Sequence, residues 1–154
     1  MLNLNLRHTL QLGSILMATV VLLSCNSGSS ATTPGTNGTL TVAISPNPIE
    51  SGASATVTIQ LTGLTTTSAI NAYPIVSLMV ESSAMASLSA NSCELFVPAG
   101  KSSSNSCYIK TTATLPTLIA GKTAGTATLT ATANSASLNI TNQSTSQTFI
   151  VRAK

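Results

Sequence analysis

Hydrophobic and polar residues alternate with a period of two in three runs of this chain. In residues 56–62, valine, isoleucine and leucine alternate with threonine and glutamine. Residues 40–45 alternate in the same way and end at a Pro-Asn-Pro sequence, where proline cannot donate a hydrogen bond to a neighbouring strand. In residues 123–133, threonines alternate with alanines and a leucine, which indicates a closely packed inner face. A period of two is typical of strands with one buried face, so we predict three half-buried β-strands.

Less regular segments also favour strands. Residues 74–81 are apolar on both faces, which predicts a central strand covered on both sides or a strand at an interface. Pro116 and Gly121 mark a connection, and the last strand has an open register, with either Phe149 and Val151 or Ile150 facing inward. The segments concerned are residues 74–81, 85–89, 107–112 and 147–152.

These segments together predict the fold class. They amount to about seven short strands, no segment has a convincing 3.6-residue period, and the many β-branched threonines favour strands over helices. We therefore predict an all-β domain over residues 39–154, built as an antiparallel β-sandwich.

The residues before this domain have a different character. Arg7 and His8 precede a 14-residue apolar run at residues 10–23, as in a secretory signal peptide. The run is shorter than the roughly 20 residues that a membrane-spanning helix needs, and a buried core helix is the alternative. Residues 26–38 contain no charge and no large apolar side chain, so we predict a flexible tether with a reach of roughly 20 Å.

The end of the apolar run, Leu22-Leu23-Ser24-Cys25, resembles the lipobox of bacterial lipoproteins. The resemblance implies that residues 1–24 are a signal peptide, that Cys25 carries lipid, and that the chain is held at the membrane of the cell envelope. Asn26 follows the cysteine where aspartate would imply retention at the inner membrane, so the resemblance implies the outer membrane. The alternative is an ordinary secretory signal cut at another site.

The cysteines fit an exported protein. With Cys25 lipidated, Cys93 and Cys107 remain as an even pair, and in an oxidising compartment we expect them to form a disulfide. The alternative is two free thiols, one of them a nucleophile. A nucleophilic thiol needs a nearby base, and the only histidine of the chain is His8 in the leader.

Charge and composition exclude several function classes. After the leader, five basic and three acidic residues remain, a net charge of +2, without a basic cluster, so we expect no nucleic-acid partner. The chain has no aspartate, which with the missing histidine excludes a Ser-His-Asp triad and a histidine-based metal site. Glu50, Glu81 and Glu94 are far apart in sequence. We predict no cofactor and no enzymatic activity, with a Ser-Lys hydrolase as a remote alternative.

A second resemblance concerns the domain. Residues 40–48, 52–59 and 124–133 resemble the first, second and penultimate strands of bacterial immunoglobulin-like domains. The resemblance implies an immunoglobulin-like sandwich that serves as an adhesive, spacer or docking unit. The chain departs from antibody domains because it has no tryptophan and its cysteines are adjacent in strand order instead of bridging the two sheets.

The predicted function is therefore a binding, adhesion or scaffolding module held at the envelope, with a protein or a surface glycan as partner. An accessory subunit of an envelope complex is the alternative. Its docking patch would lie at Ile75, Val76 and Met79, in the strand that is apolar on both faces.

Overall fold

The computed structural model describes residues 37–154, which form nine β-strands in two sheets. Within these residues the helical structure is a single 3-10 turn, Ala136–Leu138. The prediction of an all-β sandwich is confirmed. The strands are β1 (Thr39–Ser45), β2 (Ile49–Glu50), β3 (Ser54–Thr62), β4 (Ile75–Val80), β5 (Ala86–Leu88), β6 (Ser92–Glu94), β7 (Thr117–Ala120), β8 (Gly125–Ser135) and β9 (Ile140–Arg152).

The first sheet has the strand order β1-β3-β7-β5 and the second has the order β2-β9-β8-β4-β6. Every pairing is antiparallel except that of β2 with β9. Immunoglobulin-type sandwiches place strands A, B, E and D in one sheet and C, F and G in the other, an order that β1-β3-β7-β5 and β4-β8-β9 follow. The departure is that β5 precedes β6, so the chain crosses to the first sheet after β4 and then returns.

The alternation of apolar and polar residues predicted for β1 and β3 determines which side chains the first sheet contributes to the core. In β3, Val57, Ile59 and Leu61 are fully buried, while Thr58 between them is half-buried and Gln60 is exposed. Strand β1 pairs with β3 along its whole length and buries Leu40 and Ile44 on the same side. Successive side chains of a strand point to opposite faces. The alternation of polar and apolar residues in β1 and β3 therefore determines which face of each strand packs inward.

The alanine-rich face of β8 also points inward, as predicted. Ala127, Leu129 and the following alanines are buried, and Ala127 pairs with Phe149 of β9. The small alanine leaves room beside the largest fully buried side chain of the described domain. The open register of the last strand is thereby settled: Phe149 and Val151 face the core, and Ile150 faces outward with 43% of its surface exposed.

Three parts of the predicted strand pattern are wrong. Residues 107–112 form isolated bridges and a turn instead of a strand, with the Ala113 N–H donating to the Ile109 carbonyl. Pro116 and Gly121 bracket strand β7 instead of marking a connection. The last strand begins at Ile140, seven residues before its predicted start at residue 147.

The predicted disulfide is present, and its position differs from the expectation. Cys93 lies on β6 of the second sheet, while Cys107 lies in the 95–116 connection. The Cys107 N–H donates to the carbonyl of Ile59 on β3, in the first sheet. The bond therefore ties the second sheet to a segment that hydrogen-bonds along the first, although the two cysteines are close in sequence.

The folded domain begins earlier than the predicted boundary at residue 39. Asn37, which the sequence assigned to the tether, is 98% buried, since only 2% of its surface is exposed. Gly38 follows with a positive φ of 79°, and a Cβ there would lie 2.5 Å from the Thr62 carbonyl oxygen. The rest of the predicted tether that precedes Asn37, the leader and Cys25 lie outside the described residues.

Candidate docking surface

Strand β4 contains the three residues of the predicted docking patch, and it places them on opposite faces of the sheet. Ile75 and Met79 face outward, with 56% and 64% of their surfaces exposed. Val76 faces the core and has no exposed surface, so it cannot contact a partner. Of the two alternatives predicted for this strand, coverage on both faces is wrong, because the inner face packs against the first sheet and the outer face is open. A strand at an interface stays a prediction.

The outer face beside Met79 is rich in hydroxyl groups, whereas Ile75 lies opposite Glu94 of β6, which forms an ion pair with Lys110. Met79 pairs with Thr130 of β8, which in turn pairs with Ser146 of β9. The hydroxyls of Thr130 and Ser146 are 3.0 Å apart and hydrogen-bond to each other. The neighbouring row has the same arrangement one step along the strands. Ile75 and Met79 are therefore exposed apolar side chains on a polar surface, and the charges of Glu94 and Lys110 lie beside Ile75.

Met79 also borders a cleft between the edges of the two sheets. The cleft has a volume of about 480 Å³ and lies between the end of β4, in the second sheet, and β5, in the first. We call it the edge cleft. Its lining contains no charged side chain, and its main members are Leu78, Met79, Val80, Ala86, Leu88 and Asn91.

Main-chain groups on the β4 wall of the edge cleft lack partners. In an antiparallel ladder, alternate residues direct both their N–H and C=O groups to the same neighbour. The Glu81 N–H donates to Thr128 of β8, whereas the Leu78 N–H donates to Asn91 on the opposite side. Val80 therefore directs its N–H and C=O away from β8, and β6 pairs with β4 only as far as Ser77. Within residues 37–154, no hydrogen bond to these two groups of Val80 is present.

The β5 wall shows the same feature. The Met85 carbonyl accepts from Gly121 and the Ser89 N–H donates to Thr117, so the odd-numbered residues of this segment face β7. Leu88 consequently directs its N–H and C=O away from β7, and among the described residues these groups are also without a hydrogen bond. Two strand edges, one from each sheet, thus leave hydrogen-bonding groups open beside a single uncharged cleft.

A second cavity, of about 320 Å³, lies beside the disulfide and below Ile75. Glu94 accepts a hydrogen bond of 3.1 Å from the Tyr108 hydroxyl and forms an ion pair of 3.4 Å with Lys110. Partial burial and the adjacent Glu94 raise the pKa of Tyr108. The carboxylate is therefore engaged by two neighbours, and this cavity offers an apolar wall with a satisfied polar rim.

Residues 37–154 contain few of the side chains that usually bind metal ions or act as general acids and bases. No cluster of three or more histidine, cysteine, aspartate or glutamate side chains in this range could hold a metal ion. Glu50 follows the Pro-Asn-Pro turn on β2, Glu81 follows β4, and Glu94 lies on β6.

Within residues 37–154, no helix has the length and apolar character needed to cross a bilayer.

Comparisons with protein-family models, with curated proteins and with solved structures gave no match. Functional inference for this chain therefore depends on its own residues and on the geometry of the two strand edges.

Sequence reasoning found Ile75 and Met79 but missed Val80 and Leu88. The apolar character of residues 74–81 was the available signal, and it could not show which side chains face outward. The open main-chain groups depend on where the short strands β5 and β6 end, and main-chain hydrogen bonding has no direct signature in side-chain pattern.

Proposed function

We propose that this protein is a lipid-anchored component of the cell envelope whose sandwich domain is a non-catalytic binding module. Its partner is a protein that adds an extended segment to the edge cleft. The observation that carries this proposal is the pair of unpaired main-chain sites, at Val80 and Leu88, on the two walls of an uncharged cleft.

Strand addition is the binding mode that such a site favours. A peptide in extended conformation satisfies the open N–H and C=O groups of an edge strand, and its alternate side chains fill the adjoining pocket. Leu78 and Met79 supply apolar contacts, and the absence of charged lining favours a partner segment that is apolar or hydroxyl-bearing. A surface glycan, the other partner class considered from the sequence, has no need of these main-chain groups in a ladder.

The anchor is supported by the lipobox-like residues that end at Cys25 and by the disulfide. Disulfides persist in oxidising compartments such as the periplasm and the cell surface, so the Cys93–Cys107 bond supports export. Asn26 supports the outer membrane as the site of attachment. Intact mass spectrometry of the membrane fraction tests this part: we expect a chain that starts at Cys25 with added acyl mass, and its loss in a Cys25→Ser variant.

Binding is tested by co-purification of partners after cross-linking in the native envelope. Met79→Lys places a charge at the edge cleft, and we expect the recovery of the partner to fall at least tenfold. Ile150→Lys is the matched control because it adds the same charge to an exposed residue on the same outer face, two strands away. Equal loss in both variants, or in neither, would contradict the proposed site.

Val80→Pro separates strand addition from side-chain contact. Proline removes the N–H that faces the cleft, and a strand tolerates proline where its N–H points away from the sheet. We expect this variant to fold and to lose the partner. If it binds normally while Met79→Lys does not, the partner contacts side chains only.

The second candidate is an accessory subunit of an envelope complex. Ile75 and Met79, both more than half exposed on one strand, favour a larger and more permanent contact than a single added strand. A stoichiometric complex that survives purification without cross-linking, and that Ile75→Lys disrupts as strongly as Met79→Lys, would support this candidate.

A further inference from the structure

The first described residue is fixed to one end of the sandwich. The Asn37 side chain donates hydrogen bonds to the carbonyls of Thr66 and Leu138, at 2.6 and 2.8 Å, and accepts from the N–H groups of Thr65 and Thr66. Residues 65 and 66 belong to the 63–74 connection, which joins the end of β3 to the start of β4. The preceding chain therefore arrives at the same end of the domain as this connection.

That end carries exposed apolar side chains. Ile70 and Tyr73 lie in the 63–74 connection with 71% and 50% of their surfaces exposed. The Tyr73 ring packs against Phe96, with ring centroids 5.4 Å apart. Lys101 is exposed in the adjoining 95–116 connection, where the Gly100 N–H donates to the Ser68 carbonyl. We call these four residues, Ile70, Tyr73, Phe96 and Lys101, the tip.

The charge distribution distinguishes this end from the other. The connections that form it, residues 63–74 and 95–103 with the turn Ala136–Leu138, contain one charged residue, Lys101. Glu94, which ends β6 opposite Ile75 at the border of these connections, is held in an ion pair of 3.4 Å with Lys110. The opposite end, where β2, β4 and β9 finish and the β7–β8 connection lies, holds exposed charges of both signs. They are Glu50, Glu81, Lys122 and Arg152.

We propose that the tip is a second membrane contact, in which Ile70 and Tyr73 enter the headgroup region of the bilayer that holds the lipid on Cys25. This inference rests on the proposed anchor. Eleven residues, 26–36, lie between Cys25 and Asn37. The sequence predicts that these residues form a flexible tether, whose root-mean-square reach would be roughly 20 Å, so the proposed anchor would keep the tip within reach of the lipid surface.

The chemistry of the tip matches this partner. Tyrosine has an apolar body and a polar hydroxyl, and it is favoured at membrane interfaces where one end is apolar and the other is wet. Lys101 is attracted to anionic headgroups, and Glu94, the acid that borders the tip, is largely buried and neutralised by its ion pair with Lys110. Two apolar side chains bind a bilayer weakly by themselves, but the anchor makes the encounter intramolecular and raises the effective concentration. The edge cleft lies toward the opposite end of β4 and would then open away from the membrane.

Fluorescence of single-tryptophan variants tests this contact, since the natural chain has no tryptophan. The full lipidated chain with Tyr73→Trp is reconstituted in phosphatidylethanolamine–phosphatidylglycerol vesicles that contain brominated lipid. The matched control is Ile150→Trp, a partly exposed apolar residue near the far end of β9. We expect at least twofold stronger quenching for Tyr73→Trp than for Ile150→Trp, with a blue-shifted emission that Ile70→Ser, added to the Tyr73→Trp variant, at least halves.

The outcomes separate the tip from the anchor. Vesicle flotation of the natural chain and of Cys25→Ser reports the anchor alone. If the natural chain floats and the two tryptophan variants are quenched equally, the tip proposal is overturned while the anchor stands. If the natural chain does not float, the anchor proposal fails and the tip proposal falls with it. Circular dichroism of each variant shows that it is folded, and Ile70→Ser alters a mostly exposed side chain, for which we expect little change in stability.

Discussion

Replacement of Asn37 by alanine removes a side chain that holds three separated parts of the domain together. Its amide makes five hydrogen bonds, two as donor and three as acceptor. The partners are Thr65 and Thr66 after β3 and Leu138 in the turn between β8 and β9. Alanine fills part of the space but cannot bond to any of these groups.

The magnitude follows from the burial of the groups left behind. The bond to the Leu138 carbonyl is buried, and an unsatisfied buried acceptor costs about 1–3 kcal/mol. The four bonds to Thr65 and Thr66 are partly buried, so water can replace them and each contributes about 0.5 kcal/mol. Because bonds that share one side chain are not additive, we expect a total loss of about 3 kcal/mol in the free energy of unfolding. That loss corresponds to a fall in Tm on the order of 10 °C for a domain of this size.

Chemical denaturation of the disulfide-intact chain with Cys25→Ser provides the assay, and the slope m must stay unchanged for the comparison. Asn105→Ala is the matched control because Asn105 is exposed and its side chain makes no hydrogen bond within residues 37–154. We expect less than about 0.5 kcal/mol for it. Asn37→Asp keeps the size and the acceptor but turns a carboxylate oxygen toward two carbonyls, so at neutral pH it should destabilise at least as much as alanine.

A loss of less than about 0.5 kcal/mol of unfolding free energy for Asn37→Ala would refute this reasoning. It would mean that water or a neighbouring group replaces the hydrogen bonds of Thr65, Thr66 and Leu138 at no cost. An Asn37→Asp variant as stable as the natural chain at neutral pH would refute the assignment of the two donor bonds.

Two further predictions concern the side of the sandwich near the disulfide. The double variant Cys93→Ala/Cys107→Ala should lose about 3 kcal/mol of unfolding free energy, the chain-entropy value for a closed loop of about 15 residues. Denaturation of the natural chain with reductant should match it, and a difference of less than 1 kcal/mol between oxidised and reduced protein would contradict this prediction. Tyr108 has a raised pKa in the fold, so the protonated hydroxyl contributes stability that is present below the ordinary pKa of 10.0 and is lost as the pH rises above it. Thermal unfolding between pH 8 and 11.5 should show a shallower decline for Tyr108→Phe, and identical slopes would contradict it.

Sequence alone predicted the strands whose side chains meet the core on one face and water on the other. In β1, β3 and β8 the alternation is regular, because each of these strands packs one face against the opposite sheet. Residues 107–112 contain β-favouring side chains as well, yet they form isolated bridges and enter a turn that ends at Ala113, which has a positive φ of 53°. The disulfide and the bond from Cys107 to β3 hold the start of this segment, which is a tertiary constraint that strand propensity does not express.

The candidate docking surface was only partly predictable for a related reason. Val76 and Met79 both have apolar side chains, and neighbouring apolar residues leave the inward face of a strand undecided. The face is set by pairing with β8, where Val76 lies opposite Ala133 and Met79 lies opposite Thr130. The structural role of Asn37 could not be predicted from the sequence pattern, because it depends on a carbonyl group 101 residues away in the chain.

If lipid on Cys25 holds this domain at a membrane, as we propose, the full-length pairing of β1 with β3 has a mechanical consequence. A partner that pulls on the edge cleft while lipid holds Cys25 would transmit tension to the domain through Asn37. Strand β1 runs away from that point and pairs with β3 at seven successive positions. A pull along its axis loads these rungs together in shear instead of opening them one after another, so the first attachment to yield under load should be the amide of Asn37 and not the sheet.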